Sequence, residues 1–136
     1  MPFDANLVLH DGTTITADIS PTSTTRSSGS AVLDVKESPA KGISVVLIMG
    51  ADLAESGDTL LVTIEESTAE ASGYVEVARF PLLTQGTGMP GTYILRCQIE
   101  DRYMRAKIDV TDSDSGGDFS VASCYILVSP YPFRFL

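Results

Sequence analysis

Ile43-Ser44-Val45-Val46-Leu47-Ile48-Met49 is the stretch whose reading decides the fold. It is almost wholly apolar and rich in β-branched side chains, and Gly42 and Gly50 bound it. A membrane-crossing helix needs about 20 apolar residues, so this run is far too short for one. Its composition and bounds read as a β-strand buried on both faces.

The runs on either side carry the same texture with clearer alternation. Leu60, Val62 and Ile64 fall on one face of residues 59–66, and Thr63 and Glu65 on the other. Residues 74–80 alternate again, with Val75 and Val77 opposite Glu76, and Pro81 ends the run. Further on, Tyr93, Leu95, Cys97 and Ile99 oppose Arg96, Gln98 and Glu100. Met104, Ala106, Ile108 and Val110 then oppose Arg105, Lys107 and Asp109. Little more than Asp101-Arg102 separates these last two runs, so a tight antiparallel hairpin is expected. A final strand is expected over residues 119–128.

Towards the N-terminus, residues 7–9, 14–19 and 31–35 are shorter strand candidates. Residues 20–30, dominated by Ser and Thr, and residues 82–91 read as loops. No stretch repeats apolar residues at helical spacing over three turns. The expectation is an all-β chain: an antiparallel jelly roll or β-sandwich of about eight strands. It forms one domain over residues 1–129, followed by an extended Pro/aromatic arm over residues 130–136.

Composition narrows the function classes. The sequence has 136 residues, with 18 acids against 9 bases and a net charge of −9. A phosphate backbone repels such a chain, so no nucleic-acid partner is expected. No run is long enough for a membrane span, and no membrane partner is expected. The first residues lack the basic and apolar regions of a secretory leader, so synthesis in a cytoplasm is expected, with Cys97 and Cys124 as buried free thiols.

One histidine, two cysteines and no tryptophan leave little for catalysis. The expectation is no enzyme, no cofactor and no metal. His10 beside Asp11 reads as an ordinary turn histidine. Asp112, Asp114 and Asp118 resemble part of a calcium loop, but position five would be Gly116 and position twelve Ser123, so the segment reads as a solvated hairpin loop. Gly86, Gly88 and Gly91 spell a dinucleotide-type glycine pattern, but a strand rather than a helix follows, which removes the anion-binding helix end that pattern serves.

Two features point instead to a docking surface. Arg96, Arg102, Arg105 and Lys107 fall within twelve residues and would form a local positive patch for an acidic partner. The C-terminal residues Pro130, Tyr131, Pro132, Phe133, Arg134, Phe135 and Leu136 combine two prolines with three aromatics. Alternating proline cannot join a central ladder and favours a stiff extended arm. Such an arm needs something to pack on, either its own domain or a neighbouring subunit.

Three segments carry a family resemblance. Residues 3–11, running into Thr14-Ile15-Thr16-Ala17, resemble the start of the small jelly-roll capsid cement proteins of tailed bacteriophages, the Bordetella phage cement protein family. Gly57-Asp58-Thr59-Leu60-Leu61-Val62-Thr63-Ile64-Glu65 is similar to one of that family's strands, and residues 102–111, from Arg102-Tyr103-Met104-Arg105, to another. Their order and approximate spacing also fit. The Pro/aromatic arm and residues 20–30 depart from the pattern. The resemblance implies a structural protein of the virion that binds the outer surface of the mature icosahedral head, as a dimer or trimer, and ties major capsid protein subunits together. A jelly-roll module recognising carbohydrate or a host surface is the alternative.

Overall fold

The computed structural model describes residues 8–12, 14–16, 32–35, 42–86, 90–114 and 117–129. Within them the secondary structure is all β. The strands are β1 (Val8–Asp11), β2 (Leu33–Asp34), β3 (Ile43–Met49), β4 (Thr59–Ser67), β5 (Val75–Arg79), β6 (Leu83–Thr84), β7 (Gly91–Cys97), β8 (Tyr103–Thr111) and β9 (Cys124–Ser129).

They form two antiparallel sheets, of order β1-β9-β3-β7 and β2-β8-β4-β5, with the short β6 also paired to β4. From β1 to β4, and again from β6 to β9, each successive strand enters the opposite sheet. That interleaving gives a jelly-roll-like β-sandwich.

The inner faces follow the alternation of the sequence. Ile43, Val45, Leu47 and Met49 of β3 and Cys124, Ile126 and Val128 of β9 meet Leu60, Val62 and Ile64 of β4 and Met104, Ala106 and Ile108 of β8 in one core. Phe80, Leu83, Ile99 and Phe119 fill the space between. Removing this area from water is the main stabilising term, at roughly 25 cal/mol per Å².

Four expectations require correction. The runs around residues 93–99 and 104–110 do not form a hairpin. β7 pairs β3, whereas β8 pairs β4 in the other sheet. The intervening residues cross the end of the sandwich instead. Ile99, 1% exposed, plugs that end. The Glu66 carboxylate accepts the Glu100 and Asp101 backbone N–H groups at 2.7 and 3.2 Å, pinning the crossing. An inward-facing alternation looks the same whether the next strand is in the same sheet or the opposite one, so the sequence pattern is silent on this choice.

Second, the run at residues 74–80 ends before Pro81 as expected, but residues 82–91 are not all loop. Phe80 N–H donates to Val62, and Leu83 and Thr84 then pair with Leu60 and Thr59. Third, the last strand starts at Cys124, not at residue 119. Phe119 and Val121 reach the core from the β8–β9 connection, where Val121 bridges Ile15. That connection joins two sheets and so is not a hairpin loop. Fourth, His10 is a strand residue, 3% exposed, beside the bulge where β1 meets β9.

Cys97 lies opposite Ile43, and Cys124 opposite Met49, at the two ends of β3. At about 3.3 Å per residue the two are about 20 Å apart along the strand. A disulfide needs Cα atoms within about 7 Å. Both cysteines are free.

Candidate functional site

The basic residues singled out above are divided by the crossing at residues 98–102. Arg96 is exposed on β7, in the four-stranded sheet, while Arg105 and Lys107 lie on β8 in the other and Arg102 immediately precedes it. The expected patch of four bases is therefore not one surface.

On the outer face of the five-stranded sheet the remaining bases are matched by acids. Arg105 Nε donates to Glu65 Oε1 at 2.8 Å, as their opposed positions on β8 and β4 dictate. Its guanidinium also lies 3.9 Å from the centre of the Tyr74 ring. This pair is the best shielded, with side chains 23% and 13% exposed. Arg102 makes a two-pronged pair with Asp34, at 3.0 and 2.8 Å, and lies over Tyr103. Lys107 lies 3.6 Å from Asp109, two residues along the same strand.

Arg79 and Glu76 complete the set with two hydrogen bonds, at 2.5 and 2.8 Å. Residues three apart on a regular strand point to opposite faces. Here the register shifts between Ile64 and Glu65, so Ala78 opposes Ile64 and Glu76 opposes Glu65. The extra residue, Val77, brings Arg79 and Glu76 onto one side. Hydrogen bonding to Arg79 holds the Glu76 carboxyl below its usual range. The positive patch is thus a ladder of four ion pairs, close to neutral on a chain of net charge −9.

The opposite kind of surface is formed where the β3–β4, β6–β7 and β8–β9 connections meet. Asp52 accepts the Gly86 N–H with both carboxylate oxygens, at 3.1 and 3.0 Å, and Gln85 donates to the Ala54 carbonyl at 3.0 Å. Asp58, 2% exposed, accepts the Ser113 N–H at 2.9 Å. This knitting brings Glu55 to the three aspartates of the partial calcium pattern. Carboxylate oxygens of Glu55, Asp112, Asp114 and Asp118 lie within 4.8 Å of one another. Oxygen ligands around a single Ca²⁺ at 2.3–2.6 Å span roughly such distances.

No base occurs in residues 42–78 or 108–118, so nothing in those stretches offsets the negative charge. Repulsion from Asp118 and Asp114 pushes the Glu55 carboxyl above its usual range. Glu55 could not have been placed here from spacing, because it stands 57 positions before Asp112 and only the sandwich joins their loops.

The two thiols offer no nucleophile at neutral pH. Burial pushes Cys97 up to about 11 and Cys124 to about 12, and the reactive species is the thiolate. Pro130, Tyr131, Pro132, Phe133, Arg134, Phe135 and Leu136 lie outside the described residues, as does Gly88 of the glycine pattern. Among the described residues no helix is long and apolar enough to cross a membrane.

No protein-family model, no curated protein and no solved structure matches this chain at a significant level.

Proposed function

We propose that the chain is a structural protein of a phage virion, a cement subunit bound to the outer surface of the mature head. In this reading it works as a homo-oligomer and ties neighbouring major capsid protein subunits together. The observation that carries it is where the resembling segments fall. Two of the three, residues 57–65 and 102–111, contain most of β4 and all of β8, matched without a break from Thr59 opposite Thr111 to Glu65 opposite Arg105. The first contains β1 and the bridge residue Ile15. The resemblance thus covers a connected scaffold of a jelly-roll-like sandwich, the architecture it implies.

The physics of such a role is mass action. A subunit that binds the assembled shell better than its free parts stabilises the shell by its binding free energy, and repeated symmetric attachment multiplies the effect. The ladder of ion pairs gives a docking face of little net charge, and rim charges of this kind set orientation and rate more than affinity. Arg102, Arg105 and Lys107 belong to that face.

The test mixes the purified protein with expanded and unexpanded heads of a tailed phage and follows co-sedimentation. Saturable binding to expanded heads, with a raised temperature of head disruption, supports the reading. Binding to neither form sinks it. Reproducible hits on a glycan array in that case would favour the carbohydrate-binding alternative.

A further inference from the structure

The strands at the margins of the two sheets differ sharply. β1 is four residues long with a bulge, and β2 is two residues long. β5 is five residues long, its register shifts beside Glu65, and it carries the Glu76–Arg79 pair. Short length, bulges and charge are the usual means of blunting a sheet edge. β7 is the contrast. It is seven residues long, pairs β3 residue for residue without a shift, holds no proline and carries one charge, Arg96. No described strand pairs its other side, and every residue along it is half-buried or exposed.

The direction of its outward backbone groups follows from β3. Just past that strand, the Gly50 N–H donates to the Ser123 carbonyl, on the β9 side, at 2.9 Å. In a trans peptide the preceding carbonyl points the opposite way, so Met49 turns its carbonyl towards β7. Every second residue of a strand does the same. Ile43, Val45, Leu47 and Met49 therefore bond Cys97, Leu95, Tyr93 and Gly91. Thr92, Ile94 and Arg96, between them, turn N–H and C=O away from the sheet.

We propose that β7 docks a second copy of this chain, edge to edge, as an antiparallel pair centred on Ile94. A row of outward N–H and C=O groups is matched in spacing by another extended strand. The sequence of β7 also fits its own reverse. A two-fold axis at Ile94 sets Ile94 opposite the partner's Ile94, Tyr93 opposite the partner's Leu95, and Thr92 opposite the partner's Arg96. The outward residues then meet as hydrogen-bonded pairs, which uses every N–H and C=O that Thr92, Ile94 and Arg96 offer.

Charge agrees with this register. Arg96 faces a threonine, so no like charges meet across the seam. β7 contains no acid, so the negative excess of the chain lies away from the contact. The two four-stranded sheets join into one continuous sheet. The proposal gives the homo-oligomer of the cement reading a seam, yet it rests on the sheet edge and not on that reading.

Sedimentation equilibrium of the full-length protein tests it without any phage head, so failure of either reading leaves the other standing. A monomer–dimer equilibrium is expected, tighter at about 0.5 M salt, where repulsion between two acidic copies is screened. Amide exchange followed by NMR reads the register. The Thr92, Ile94 and Arg96 amides should slow several-fold as the protein is concentrated. Those of Tyr93 and Leu95, already bonded to β3, should change little.

Thr92→Arg sets a second guanidinium against the partner's Arg96, twice per dimer, and should weaken dimerisation about tenfold although it makes the chain less acidic. Adding Arg96→Glu turns both contacts into opposite-charge pairs and should restore the dimer, although the double variant is more acidic than the parent. Thr92 and Arg96 are exposed, so the fold tolerates both changes. Three outcomes would overturn the proposal. One is a protein that stays monomeric at about 1 mM. Another is slow exchange of the Thr92, Ile94 and Arg96 amides at every concentration, which would mean that the chain covers its own edge. The third is a dimer indifferent to Thr92→Arg, which would place its seam elsewhere.

Discussion

The two outer faces of this sandwich solve the same problem in opposite ways. The five-stranded sheet turns outward a ladder of Arg–Glu, Arg–Asp and Lys–Asp pairs, with Thr63 and Ser67 between them. The four-stranded sheet turns outward the row Val8, Leu127, Val46 and Ile94. The first face can stand in water as it is. The second is apolar and gains from being shielded, and at its centre Val46 is 1% exposed. A sandwich needs one buried face per sheet; here part of a third, at Ser44, Val46, Leu127 and Ser129, is buried as well, and that is the feature to test.

The largest expected effect comes from placing the same residue on both faces. Val46→Asp puts a carboxylate into the covered row and should cost about 3 kcal/mol or more, read from urea unfolding. Thr63→Asp also puts a carboxylate at a shielded position, 8% exposed, but directly opposite Lys107 and Arg79 on the other face. With two cations to pair, it should cost no more than about 1 kcal/mol. Equal costs would erase the distinction between the faces.

Next comes the best-shielded ion pair. Arg105→Ala loses both the Glu65 pair and the packing on Tyr74 and should cost about 1–2 kcal/mol. A double-mutant cycle with Glu65→Ala should return a coupling that shrinks at about 0.5 M salt, where screening is strong. The penalty at Val46 should not shrink with salt.

The pH response is smaller and separates the faces again. Glu76 has a folded pKa below its unfolded value, so its contribution is present above the unfolded pKa and lost as pH falls through the lowered one. Amide exchange in β5 should therefore quicken on acidification before that of β3 does, and Arg79→Ala should remove most of the difference. At neutral pH that same variant should leave the unfolding midpoint unchanged, because both partners are well exposed. An equal acid response in β3 would mean that its cover depends on charge.

Much of the fold is legible in the residues themselves. The apolar run at residues 43–49 identifies β3 and its burial on both faces, and the alternation of Leu60, Val62 and Ile64 identifies β4 and its inner face. The crossing at residues 98–102 is not legible, because alternation encodes which side is inward and not which sheet is joined. The ion-pair ladder is half legible: Arg105, Lys107 and Asp109 can be seen to share a face, which already sets Lys107 beside Asp109, but Arg105's partner Glu65 comes from β4 through a register that only pairing sets. The acidic cluster divides in the same way. Asp112, Asp114 and Asp118 are visible as a partial pattern, while Glu55 arrives from a different connection.

The sequence by itself determined the all-β class, the strands that build the core and the excess of negative charge, because alternation, turn residues and charge are local quantities. Tertiary structure decided which sheet each strand entered, which bases found acids, and which acid joined the three aspartates of the β8–β9 connection. Those depend on residues distant in the chain meeting across the sandwich, where burial and pairing act on neighbours in space rather than in sequence.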